Sequence, residues 1–69
     1  MALPNRTVAQ LAERRRQLGL TQRDVAERMG TTQSAVSDLE AGRTDPRWST
    51  VQRYAAAIGA RVRVEVLPR

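Results

Sequence analysis

TQRDVAERMGTTQSAVSDLEAGR, residues 21–43, holds two short runs of helical periodicity on either side of Gly30-Thr31-Thr32. In the first run Val25, Ala26 and Met29 recur at the three- and four-residue spacing of one helix face. In the second only Val36 and Leu39 do so. Thr21 and Thr32 precede the runs, where a side-chain oxygen caps the first free N–H groups. Gly30 and Gly42 follow them, where a left-handed residue closes a helix. The stretch reads as two short helices, near 22–29 and 33–41, joined by a three-residue turn.

The same punctuation extends outward. Gly19 and Gly59 also follow helical runs, and Thr7 and Ser49 stand at plausible N-caps. Thr7-x-x-Gln10 and Ser49-x-x-Gln52 read as capping boxes. Two more helices are therefore expected near 8–18 and 50–58. The first carries Val8, Leu11, Ala12, Arg15 and Leu18 on one stripe, all apolar except Arg15; the last carries Val51, Tyr54, Ala55 and Ile58. Leu20 fills the corner after the first helix, and Pro46 keeps 42–47 a surface loop. From Ala60 to Leu67 the pattern changes to period two, with Val62, Val64 and Val66 on one face, the mark of a β-strand. A lone strand leaves its backbone groups unpaired. The expected remedy is the same strand of a second chain, paired antiparallel across a two-fold axis; the alternative is a frayed tail. The chain thus divides into a helical domain, 1–59, and a dimerisation strand, 60–69. The expected fold is mostly α: a four-helix bundle with one C-terminal β-strand.

Composition narrows the chemistry. Sixty-nine residues make one small domain, which buries only about 60% of the surface of its unfolded chain. With no cysteine and no histidine there is no disulfide, no thiolate–metal site, no usual general base and no commonest zinc ligand. Ser34 and Ser37 have no evident activating base, so an enzyme is not expected, nor any cofactor or metal. Twelve basic residues, all arginine, against seven acids give +5, a balance that favours a polyanionic partner. No apolar run approaches the roughly 20 residues of a membrane span, and Met1-Ala2-Leu3-Pro4-Asn5 lacks the order of a signal peptide. A cytoplasmic protein is expected.

Two short helices joined by a glycine turn form the helix-turn-helix arrangement, in which the second helix lies in the major groove of double-stranded DNA. Any compact helical bundle also contains short helices and glycine turns, but the side chains of the third helix favour the DNA reading. Its outward positions are Gln33, Ser34, Ser37, Asp38 and Ala41 rather than the Glu, Lys and Arg of an ordinary solvated face. Short side chains let a helix approach base edges closely. Gln33 suits a bidentate contact to adenine, and Ser34 and Ser37 suit bases or phosphates. Asp38 either accepts from a cytosine amino group or repels wrong registers.

Gly19-Leu20-Thr21-Gln22, Val25-Ala26, Met29 to Ser37, Leu39 to Arg43 and Pro46 together resemble the Cro/C1-type (XRE) helix-turn-helix family, whose fold is lambda-repressor-like. The resemblance spans about Leu11 to Gly59. It implies that Gln33 and Ser34 read bases, with Ser37 and Asp38 one turn on. It implies that Gln22 bonds a phosphate and buttresses Gln33, the alternative being an exposed helix former. Arg43 resembles the residue that grips the DNA backbone, and Thr32 and Arg47 are expected beside it there. Arg15 and Glu40 match an inner salt bridge of several relatives, which explains a charge on an apolar stripe; the alternative is two unrelated surface charges. The short C-terminal segment is similar in layout to antitoxins of the HigA and HipB type. The resemblance therefore implies a bacterial or phage homodimeric repressor of a palindromic operator, with a protein toxin as partner in the alternative reading.

Overall fold

A computed structural model describes residues 5–68. Its elements run α1 (Asn5–Gln17), α2 (Gln22–Met29), α3 (Gln33–Glu40) and α4 (Trp48–Ala57). The four helices close alike. After α3, the Gly42 N–H donates to the Leu39 carbonyl at 3.2 Å and the Arg43 N–H to the Asp38 carbonyl at 3.0 Å. This bond pair needs a left-handed residue between helix and exit, and Gly42 supplies it at φ 73°. The same pairs follow α1 at Gly19 and Leu20, α2 at Gly30 and Thr31, and α4 at Gly59 and Ala60.

The helix starts differ from expectation at both ends of the domain. α1 already includes Asn5, so Thr7 and Gln10 lie inside the helix rather than in a capping box. α4 begins at Trp48 after Arg47, which makes no side-chain cap. Trp48 packs against the core, and that contact draws the helix start ahead of Ser49. The capping box present is Thr21 with Asp24: the Asp24 N–H donates to Thr21 Oγ1 at 3.0 Å, and the Thr21 N–H to Asp24 Oδ2 at 2.8 Å. Donation from the Thr21 backbone N–H first, and from the Thr21 side chain second, holds the Asp24 carboxyl below its ordinary range. Asp24 stands at the third helical position, from which a capping-box side chain reaches back to the N-cap N–H.

The inner stripes converge on one core. Val25, Val36, Val51 and Tyr54 are fully buried, and Val8, Leu11, Ala26, Met29, Leu39, Ala55 and Ile58 complete it. Each large apolar side chain so buried contributes about 1.5–3 kcal/mol. Leu20 packs on this core as a corner residue, whereas Leu18 does not: it stands beyond the last turn of α1 and is 42% exposed. Two arginines tie α2 and α4 reciprocally. Arg28 of α2 donates to the Ala57 carbonyl at 2.8 Å, and Arg53 of α4 donates to the Met29 carbonyl. Each cation thus meets the carbonyl-rich end of the other helix, where the macrodipole favours positive charge.

The expected C-terminal strand is absent: residues 60–68 run outside any ladder. Ala60 and Val62 pack onto the helical core, with Val62 beside α1 at Thr7 and Leu11 and beside α4 at Ala55 and Ala56. Val64 and Val66, on the same side in sequence, are 56% and 89% exposed. Period-two alternation says only that alternate side chains share a face; a strand also needs a neighbouring backbone to bond. Among the described residues none is offered, and Val62 packs onto the helical core instead.

Candidate nucleic-acid interface

The outer side of α3 follows from its inner one. Val36 and Leu39 turn to the core, so Gln33 and Ser34 stand exposed at the N-terminal end, with Ser37 and Asp38 half-buried one turn later. Thr32 is extended, and its hydroxyl accepts the Ala35 N–H at 3.1 Å. That cap satisfies one N–H of the first turn and leaves others facing out, as an anion requires. Arg43 and Arg47 are exposed beyond the other end of the helix. The presented surface is a short polar face with cations beyond its C-terminal end.

One carboxylate holds that face in place. Glu40, the last residue of α3, accepts from a donor on each of the other three helices. Arg15 of α1 donates through Nε to Oε2 at 2.8 Å and through Nη2 to Oε1 at 2.9 Å, a bidentate pair. Gln22 of α2 donates Nε2 to Oε1 at 3.1 Å, and the Tyr54 hydroxyl of α4 donates to Oε2 at 2.5 Å. Arg15 spends a further N–H on the Leu20 carbonyl at 2.9 Å, tying the α1–α2 corner to the same cluster.

Both members of the ion pair are buried, with side chains 10% and 5% exposed. Burial pushes the Glu40 carboxyl upward, but donation from Arg15, Tyr54 and Gln22, with the guanidinium charge, outweighs it and leaves the group below its ordinary range. The bond to Glu40 raises Arg15 against desolvation. Tyr54 is pushed far above the usual phenol range, first by burial and then by its bond to an anion. Every buried side-chain polar atom among the described residues has a partner.

The expected site residues therefore sort into two groups. Arg15, Glu40 and Gln22 meet in the interior cluster, where half-buried Gln22 donates to Glu40 and makes no hydrogen bond to Gln33. Gln33, Ser34, Ser37, Asp38, Thr32, Arg43 and Arg47 line the outer face and its two ends. Within that group Arg43 Nη1 donates to Asp38 Oδ1 at 3.1 Å, an exposed ion pair. Tyr54 escaped sequence reasoning as more than an apolar-stripe residue. The available signal was chemical: a buried tyrosine hydroxyl demands a partner.

The sequence matches the family described as a helix-turn-helix domain over residues 8–67. Antitoxin HigA1 of Mycobacterium tuberculosis (strain H37Rv) is 46% identical over 59 residues, which cover 86% of this chain and 40% of that protein. An uncharacterized HTH-type transcriptional regulator of Methanothermobacter thermautotrophicus is 43% identical over 49 residues, covering 71% of each chain. The chain thus spans less than half the length of the HigA1 relative.

Proposed function

This chain belongs to the helix-turn-helix domain family, and on that premise we propose that it is a sequence-specific DNA-binding regulator that represses transcription by occluding a promoter. The observation that carries the reading is the outer face of α3: short, polar and exposed at Gln33 and Ser34, with Ser37 and Asp38 behind them. Gln33 reads adenine through its amide, the serines bond base edges or phosphates, and Asp38 accepts from cytosine. Thr32, Arg43 and Arg47 engage the sugar-phosphate backbone and, with the +5 charge, supply most of the affinity.

A single α3 spans too few base pairs to specify an operator. The protein therefore acts as a homodimer on a palindrome, its two reading helices about 34 Å apart, one turn of DNA. Selection from a random duplex pool tests this. A two-fold symmetric site is expected, and Gln33→Ala should weaken binding to it by about 1–3 kcal/mol while relaxing one base position. Recovery of no preferred sequence would sink the reading.

A second reading is favoured by the likeness to a relative named antitoxin. In it the chain neutralises a protein toxin and regulates its own operon through the same DNA face. The matched region occupies 40% of that relative. The test is co-purification with the product of an adjacent toxin-sized reading frame, together with suppression of that product's growth inhibition.

A further inference from the structure

Asp38 faces the same way as the base-reading side chains, yet it carries the charge that phosphates repel. Its partner in the free protein is Arg43, Nη1 to Oδ1 at 3.1 Å, with the two side chains 42% and 66% exposed. The pairing is built by the helix ending. Gly42 at φ 73° reverses the chain, and the Arg43 N–H bonds the Asp38 carbonyl at 3.0 Å. That bond returns Arg43 to the side of α3 that Asp38 occupies, five residues back. Both backbone positions are fixed by helix closure, so the side chains meet without outside help.

We infer that Asp38 is a specificity-determining residue that withholds Arg43 from the DNA backbone until a correct base is met. The inference rests on the proposed DNA reading by α3. On non-cognate DNA the Asp38 carboxylate has no donor among the bases and stays with Arg43, so the pair presents no net charge to the phosphates. On a site offering a cytosine amino group at the right step, Asp38 accepts from that group instead. Arg43 is then free to neutralise a phosphate, which adds a released counterion to the binding reaction. Base readout and backbone grip are thereby coupled, and discrimination arises from a repulsive element as well as an attractive one.

Two duplexes of equal length test this: the site selected from a random pool and its scrambled version, titrated at several salt concentrations with wild type, Asp38→Asn and Asp38→Asn/Arg43→Gln. In wild type, the slope of log affinity against log salt should be steeper on the selected site than on the scrambled one by about 0.9 per chain. Asp38→Asn should bind scrambled DNA about fivefold tighter at low salt, with a slope steeper by about 0.9 per chain. Its preference for the selected site should fall about tenfold or more. Adding Arg43→Gln should return the scrambled-DNA slope to the wild-type value. If wild type selects a site but Asp38→Asn leaves slope and preference unchanged, the coupling is overturned and the DNA reading stands. If wild type prefers no sequence, both fall together.

Discussion

Asp38 and Glu40 stand two residues apart on α3 and carry the same charge, yet the fold uses them in opposite ways. Glu40 points inward, takes donors from three other helices and is buried with Arg15. Asp38 sits at the outer face with one exposed partner contributed by the chain just beyond its own helix. A helix advances about 100° per residue, so two positions suffice to move a side chain from the interior to the surface. The difference teaches where α3 is made rigid and where it is left adjustable. Its inner end is cross-bonded to the whole domain, and its outer face carries an exposed ion pair whose opening leaves the fold intact.

The largest effect is expected from removing the inner acid. Glu40→Ala leaves Arg15 charged and unpaired in the interior, which costs about 3–5 kcal/mol. A domain of this size rarely holds more than about 3–5 kcal/mol in total. The variant should therefore be largely unfolded at room temperature by far-UV circular dichroism. A cooperative melt close to wild type would erase the contrast between the two acids.

Tyr54→Phe sharpens the same side of the comparison. It deletes one hydrogen bond to an ionised acceptor and should cost about 2 kcal/mol in denaturant unfolding. It should also change the pH profile. Tyr54 titrates higher in the fold than its ordinary value of 10.0, so the stability it supplies is complete below pH 10 and drains away as pH rises above it. Glu40 titrates lower than its ordinary 4.5, so its contribution is complete above that pH and is lost as pH falls below it. With no histidine, cysteine or lysine in the chain, no side chain has an ordinary pKa between about 5 and 10. A plateau bounded by an acid limb and an alkaline limb follows, and the phenylalanine variant should lose the alkaline limb and show a shallower acid limb, since Tyr54 is one of the donors that lower Glu40. Retention of that limb would remove Tyr54 from the cluster's energetics.

The smallest effect belongs to the outer acid. Asp38→Asn breaks only an exposed pair, so unfolding free energy should shift by less than about 0.5 kcal/mol. A loss above about 1 kcal/mol would mean that Asp38, like Glu40, fastens the helix to the domain.

Much of this was legible in the sequence because the signals are local. The inner stripes of α2 and α3, the turn at Gly30 and the closing glycines depend on residues three to five apart, the span of one helical turn. The helix starts were less legible. Thr7 and Ser49 match a capping pattern that the chain does not use, and Thr21 uses one closed by Asp24 rather than by Glu or Gln. The pairing of Arg15 with Glu40 was legible only as a family resemblance, since nothing in spacing links residues 25 apart.

The sequence by itself determined four helices, their glycine endings and the polar outer face of α3, since helix periodicity and capping are settled within a turn of chain. Only the tertiary structure decided that Gln22 and Tyr54 join Arg15 at Glu40, 18, 14 and 25 residues away respectively. It alone placed Arg28 and Arg53 on the ends of each other's helices. It also decided that the valine-rich tail packs Val62 onto the helical core rather than forming a strand. Such contacts are selected by which surfaces remain to be covered and which polar groups remain to be bonded once the helices have met. No window of sequence contains that information.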